Sequence, residues 1–274
     1  MYPLLRIAQI LGISGFLACS VLTAIAQPIA KLKPETIEGF NRYVKTTEES
    51  LQKRWERKMP TLWLYDNLAN RERTIHGEIV TERLNNNQMT AVPGGLVHDW
   101  VGAMFIPGAT LDALLDVLQD FNQHKQIYPD VIDSKLIKRN GNTYWSYLRL
   151  KKQKILTVVL DTEHEANYLQ LDLNRWLCRS YSRKIAEVSE PGTQNERELP
   201  PGEDHGFLWR LYVYWQLEKA NRGVFVECRA LSLTRDVPSL VSWIVNPIIN
   251  ELPGESLKST LEATRKAVQA RKAS

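Results

Sequence analysis

Three places in the chain put a histidine beside carboxylates, the combination that general acid–base catalysis uses. They are His98-Asp99, Glu163-His164-Glu165 and the sequence Glu203-Asp204-His205. The first two lie in predicted strands, where adjacent residues point to opposite faces and therefore cannot act as a pair. The third lies in a Pro-, Gly- and Glu-rich stretch that predicts a solvated loop. The sequence also has no nucleophile elbow and no phosphate-binding glycine loop, so we predict no catalytic residue.

The cysteines do not suggest a metal or cofactor site. Cys178 and Cys228 lie in predicted strands, where a small apolar side chain fills a core. The chain contains no CxxC, no HExxH and no repeated Cys/His spacing. We therefore predict no metal and no cofactor.

The first 26 residues have the pattern of a signal peptide. A short segment with one basic residue precedes an apolar stretch, 7–22, and Ala24-Ile25-Ala26 fits the small-x-small pattern of a cleavage site. The sequence thus predicts export, to the periplasm or outside the cell, after cleavage. The alternative is a retained anchor, since residues 7–26 approach the about 20 residues that cross a bilayer.

The charge of the chain argues against a nucleic-acid partner. The net charge is +4 over 274 residues, and the basic residues are scattered instead of clustered. Apolar residues make up 43% of the chain and charged residues 24%, which is typical of a globular protein.

The order of predicted elements indicates an α+β fold. A helix over 34–58 and an extended segment over 75–84 come first, then a strand from 96 and a helix that Thr110 caps. About four strands follow, and a last hairpin precedes a long helix over 237–271. Strands that cluster between helices, instead of alternating with them, favour an antiparallel sheet.

The last hairpin has one apolar and one amphipathic face. With the turn at 219–222 and Glu218 opposite Gly223, alternation predicts an apolar face that looks inward. This face consists of Trp209, Leu211, Val213, Trp215, Val226, Cys228, Ala230 and Ser232. The opposite face, in which Tyr214 would oppose Glu227 and Tyr212 would oppose Arg229, is expected to be solvated. If the faces were reversed, Arg210, Tyr214 and Glu227 would instead form a polar anchor inside the pocket.

The long C-terminal helix has an apolar stripe that needs a partner. Val241, Ile244, Val245, Ile248 and Ile249 recur at helical spacing, and we expect them to face the apolar side of the hairpin. The Pro253-Gly254 pair predicts a break in this helix.

Two stretches resemble the START-like superfamily, also called SRPBCC, whose domains have the helix-grip fold. They are the strand–helix start HDWVGAMFIPGATLDALLDVLQDF and the ending ECRALSLTRDVPSLVSWIVNPII. The resemblance covers residues 96–270. It implies a curved antiparallel sheet of about seven strands that grips the C-terminal helix, with a deep apolar cavity between them. It also implies that Cys178 and Cys228 lie two strands apart and remain free thiols.

These observations divide the chain into a signal peptide, 1–26, an N-terminal helix and extended segment packed on the main domain, 27–95, and a START-like ligand-binding domain, 96–274. The resemblance implies an exported protein that binds or carries a lipid or another apolar molecule. The pocket is expected to be lined by Trp209, Leu211, Val213, Trp215, Val226, Cys228, Ala230, Val241, Ile244, Val245 and Ile248. Three alternatives stay open: a filled core without a cavity, a cyclase-type or hydrolytic enzyme that uses polar residues of the same cavity, and transient membrane contact through the C-terminal helix. No oligomeric state is predicted.

Overall fold

The structure is a computed structural model that describes residues 30–56, 61–154, 157–236 and 242–273, without the side chains of 86, 87, 242–250, 272 and 273. The predicted signal peptide and Val241 therefore lie outside the described residues. The helices are α1 (Pro34–Trp55), α2 (Leu68–Ile75), α3 (Leu84–Asn87), α4 (Leu111–Gln119), α5 (His124–Ile127) and α6 (Ser242–Ala273). The strands are β1 (Val80–Arg83), β2 (Thr90–Val92), β3 (Gly95–Pro107), β4 (Val131–Asn140), β5 (Thr143–Gln153), β6 (Thr157–Asp172), β7 (Arg175–Ser189), β8 (Arg197–Glu198), β9 (Arg210–Ala220) and β10 (Gly223–Arg235).

The strands form one antiparallel sheet in the order β1-β3-β10-β9-β7-β6-β5-β4, with β2 beside β3 and β8 beside β7. Seven long strands come from residues 95–235, which matches the predicted number. Of the three short strands, β2 and β8 were not predicted, whereas β1 lies within the extended segment expected over 75–84, of which α2 occupies only the first residue.

The turn of the last hairpin is tighter than predicted. Ala220 pairs with Gly223, so the turn contains only two residues, and Glu218 lies opposite Phe225 instead of Gly223. The predicted pairing is therefore wrong by two residues: Tyr214 lies opposite Arg229, and Gln216 lies opposite Glu227. Because the error is an even number, the residues of β9 and β10 keep the predicted faces.

The predicted break in the C-terminal helix is wrong, since α6 runs without interruption over 32 residues. Proline costs the helix one main-chain hydrogen bond, and the packing of the next turns outweighs that loss. Leu257 and Leu261 of α6 are buried against the sheet. Gly254 allows this approach, because a Cβ atom there would lie 2.5 Å from the ring of Trp100.

The face of the sheet that packs on α4 and α6, which we call the concave face, carries the larger core. α4 and α6 pack here through buried aliphatic side chains, among them Leu114, Leu118, Leu261 and Val268. α4 begins where predicted, with the Thr110 side chain accepting a hydrogen bond from the Ala113 main-chain N–H. The sheet thus grips α6, and the helix-grip architecture predicted from the sequence is confirmed.

The opposite face, which we call the convex face, was predicted to be solvated, but α1 covers it. Trp55 donates from its indole nitrogen to Gln216 (2.7 Å), and Gln216 donates to Glu227 (2.8 Å). The second carboxylate oxygen of Glu227 accepts from the main-chain N–H of Trp63 (2.6 Å). These side chains of β9 and β10 are therefore buried under the N-terminal segment, which pairs with their polar atoms.

A buried ion pair extends this convex layer. Arg229 forms two hydrogen bonds to Asp99 (2.8 and 2.5 Å), and Tyr43 of α1 donates to the same carboxylate (2.7 Å). Glu48 of α1 likewise accepts from Tyr214 (2.9 Å). The N-terminal segment is thus integrated with the sheet by directed hydrogen bonds as well as by apolar contact.

Candidate functional site

The predicted apolar face of the hairpin does look toward α6. Trp215, Val226 and Cys228 are buried in the concave core with side chains of α4 and α6. Leu211, Val213 and Ala230 lie on the same face and are only half-buried. The structure therefore brings these six predicted residues together, and three of them retain surface that a ligand can cover.

Trp209 departs from the prediction. It precedes β9, its main-chain N–H donates to Leu233 (2.8 Å), and its indole nitrogen donates to Asp204 (2.9 Å). Its ring packs in the convex core instead of the concave one. On the helix, Val241 and the side chains of Ile244, Val245 and Ile248 lie outside the described residues.

The predicted polar anchor is not on the concave side. Tyr214 and Glu227 point into the convex layer, where burial raises the pKa of Glu227 to about 7. Arg210 shares their face by alternation and donates to the main-chain oxygen of Trp209 (2.7 Å). None of these three side chains is placed to meet a ligand beside α6.

Half-buried residues on the concave face define what we call the groove: Leu148, Ser180, Leu211, Val213 and Ala230. Ser180, Val213 and Ala230 lie opposite one another on the neighbouring strands β7, β9 and β10. Such a floor, mostly apolar and only partly covered by the protein itself, is suited to an apolar ligand.

Polar side chains cross the sheet beside this floor in a line that the sequence did not reveal. Cross-strand neighbours on the concave face form what we call the cross-strand row: His98, Ser232, Leu211, Ser182, His164 and Ser146. The Ser182 hydroxyl accepts from the Leu211 main-chain N–H (3.0 Å), which joins β7 to β9 in this row. Apart from Leu211, every member is buried, and none carries a fixed charge.

The two histidines of the row have the same hydrogen-bond arrangement. Nε2 of His98 lies 3.0 Å from the Thr234 hydroxyl oxygen, and Nε2 of His164 lies 3.1 Å from that of Thr162. Both threonine hydroxyls donate to main-chain oxygens, those of Arg235 and Leu148. A threonine hydroxyl that donates there can only accept from its histidine, so we assign the imidazole proton to Nε2, which leaves Nδ1 as an acceptor.

Both imidazoles are neutral at physiological pH. Burial, with a smaller contribution from the nearby Arg83 guanidinium, lowers the pKa of His98 to about 4. Burial alone lowers the pKa of His164 to about 4. At neutral pH these rings therefore act as uncharged hydrogen-bonding groups.

Three buried polar atoms at this site have no hydrogen-bond partner among the described residues. They are Nδ1 of His98, Nε1 of Trp100 and Oγ of Ser146. His98 and Trp100 are two residues apart on β3 and share the concave face, where Trp100 lies opposite Ala230 of the groove and His98 opposite Ser232, so β3 borders the groove as one wall. Ser146 stands at the other wall, opposite His164. Buried polar groups usually find partners, so these atoms mark where a ligand could bond.

Of the remaining sequence predictions at this site, those for His98 and the cysteines agree with the structure. Asp99 points away from His98 and into the convex layer, so the two do not pair. β9 lies between Cys178 and Cys228, which both pair with Trp215, and the two cysteines are free thiols. The expectation for His205 was wrong: it is half-buried in the loop before β9 instead of solvated, with Nδ1 2.8 Å from the buried carboxylate of Glu187.

A second cleft, of about 740 Å³, lies at the opposite end of the sheet. It is formed by turns, with Thr110, Trp176 and Arg222 in its lining. It is open to solvent, and its lining exposes polar and apolar surface in similar amounts, whereas the groove floor is mostly apolar.

Among the described residues, no group of three or more His, Cys, Asp or Glu side chains is arranged to hold a metal ion. Within the same part of the chain, no helix combines the length and apolar character needed to cross a membrane.

No protein-family model matches the chain, and no curated protein matches it. Solved structures with a similar course of the main chain include a STAR-related lipid transfer protein from Xanthomonas axonopodis, at 21% identity over 66% of this chain and 98% of that chain, with a TM-score of 0.44. Human STARD10 is 16% identical over 80% and 86% of the two chains, with a TM-score of 0.45. The Zhui aromatase/cyclase from a Streptomyces species is 10% identical over 67% and 93%, with a TM-score of 0.38.

Proposed function

We propose that this protein binds or carries a small apolar molecule, such as a lipid, in the groove between the sheet and α6. One observation carries the proposal: Val213 and Ala230 stay half-buried on adjacent strands, although Trp215 and Cys228, the next residues on the same face, are fully packed. A ligand that removes about 200 Å² of apolar surface from water there would gain about 5 kcal/mol.

The proposal is tested by filling the groove. Ala230→Trp places an indole on the half-buried floor, and we expect it to weaken binding of the neutral dye Nile red at least tenfold. Leu169→Trp, at an exposed position of β6, is the control and should leave binding unchanged. Native mass spectrometry of protein purified from cells should show a bound apolar mass that Ala230→Trp lacks. Unchanged dye binding and an unchanged mass in a folded Ala230→Trp protein would refute the proposal.

The alternative of a cyclase-type or hydrolytic enzyme receives less support from the site. Tyr214 and Glu227, which the sequence suggested for such chemistry, lie in the convex layer. The histidines beside the groove have pKa values of about 4, far below the value that suits a general base at neutral pH. The geometry therefore favours binding over turnover.

We also propose that residues 1–26 direct export and are removed. The pattern before Gln27 supports cleavage, and the intact mass of protein recovered from its native compartment tests it. A retained segment would instead indicate an anchor. Contact with a membrane during ligand transfer would appear as lipid-dependent recovery in a liposome flotation assay.

A further inference from the structure

We propose that the ligand of the groove is an uncharged alcohol, whose hydroxyl donates a hydrogen bond to Nδ1 of His98 and accepts one from Nε1–H of Trp100. This inference rests on the proposed function, because it concerns the polar end of a molecule whose apolar part lies on the groove floor. It names the chemical class of the ligand and the residues that select it.

The wall formed by β3 offers the complementary pair that a hydroxyl needs. Nδ1 of His98 is an acceptor, because Nε2 already donates to Thr234. Nε1 of Trp100 is a donor only. Both atoms are buried and lack a partner among the described residues. An alcohol satisfies both atoms at once, whereas an ether or an ester oxygen accepts but cannot donate to His98.

The opposite wall repeats the pattern. His164 presents the same tautomer as His98, and the neighbouring Ser146 hydroxyl has no partner in the described chain. Both walls therefore present neutral groups that donate and accept. A ligand with a second hydroxyl at its other end would meet equivalent chemistry there.

A charged head group fits this site less well. The cross-strand row holds no charged side chain, so a carboxylate would lose its hydration without gaining a counter-ion from the row. Arg83, opposite Trp100 on β1, lies over the Trp100 ring at 4.9 Å and forms an ion pair with Glu251 (3.4 Å). Its charge is thus already balanced.

Three probes with the same alkyl chain separate these possibilities: decanol, decyl methyl ether and decanoate. We expect decanol to displace Nile red from the full-length protein about tenfold better than the ether or decanoate, because only decanol both donates and accepts. Trp100→Phe and His98→Phe keep a ring at each position and remove one polar atom. Each should reduce the advantage of decanol to about threefold or less. Trp145→Phe, which loses an indole hydrogen bond to Glu165 on the convex face, is the matched control and should keep the full advantage.

Each outcome distinguishes this inference from the proposed function. Equal displacement by decanol and the ether overturns the alcohol assignment, although the groove still binds apolar molecules. Tightest binding of decanoate also overturns it and indicates an anion site near Arg83. If Nile red does not bind, or if no probe displaces it, the proposed function fails and the alcohol assignment fails with it. An advantage of decanol that persists in both folded ring variants refutes the role of His98 and Trp100.

Discussion

Replacing Glu227 by glutamine should change how the stability of the protein depends on pH. Glu227 is 2% exposed, and burial raises its pKa from an ordinary value of 4.5 to about 7 in the folded protein. The unfolded chain therefore releases this proton at a lower pH than the folded protein does. Between pH 4.5 and 7 the folded state binds more protons, so its stability falls as the pH rises.

The size of this effect follows from the two pKa values. At about 1.4 kcal/mol for each pH unit, Glu227 should remove about 3 kcal/mol of stability by pH 7, relative to pH 4. Carboxylates whose pKa is lowered on folding, such as Asp161, contribute stability that is lost as the pH falls. That loss takes place mainly below their ordinary pKa of 3.8. The two contributions thus fall in separate pH windows.

Urea unfolding at intervals from pH 4 to 8 measures the effect. Glu227→Gln still accepts from Trp63 but loses one bond to Gln216, which costs about 1 kcal/mol at every pH. The difference in unfolding free energy between wild type and variant should therefore change sign as the pH rises. Glu49→Gln, at an exposed position of α1, controls for the loss of one charge. Parallel curves for wild type and Glu227→Gln across this window would refute the reasoning.

Other substitutions test the packing of both layers by urea unfolding. Gly254→Ala should cost about 1–3 kcal/mol, because its methyl group overlaps an indole ring of β3, and an unchanged midpoint would show that α6 can move away. Trp55→Phe should cost about 1–3 kcal/mol by leaving the Gln216 oxygen without its buried donor, and no loss would mean that this bond adds nothing. Asp99→Ala should cost about 3–5 kcal/mol, since Arg229 would keep a buried charge, and Arg229→Met in the same background should recover part of that loss.

Local patterns in the sequence were sufficient for the faces of the last hairpin and for α4. Period-two alternation identified the inward face of β9 and β10, and it survived an error of two residues in the turn, because parity alone decides the face. The Thr110 cap and the helical spacing after it likewise predicted α4. These signals act over a few residues, so a single sequence contains them.

The convex layer and the cross-strand row depend on distant pairings and were missed. The amphipathic ladder of Tyr214, Gln216 and Glu227 looks solvent-facing until α1 is known to cover it. The row needs the registers of six strands, and the β6–β7 pairing shifts between Glu163 and His164. No local pattern predicts that irregularity, so the sequence relates His164 only to the two glutamates that flank it and not to the residues across the sheet.

The coverage of the sheet by α1 also sets an order of events in folding. Glu48 of α1 accepts a hydrogen bond from Tyr214, and Trp55 donates one to Gln216; these partners in β9 lie 166 and 161 positions further along the chain. During synthesis α1 therefore emerges long before its partners, and its apolar side chains, such as Phe40, have no sheet to pack on. The convex core can close only after β9 and β10 have been made. Contacts of such long range slow folding, and they leave the nascent chain open until its last quarter is complete.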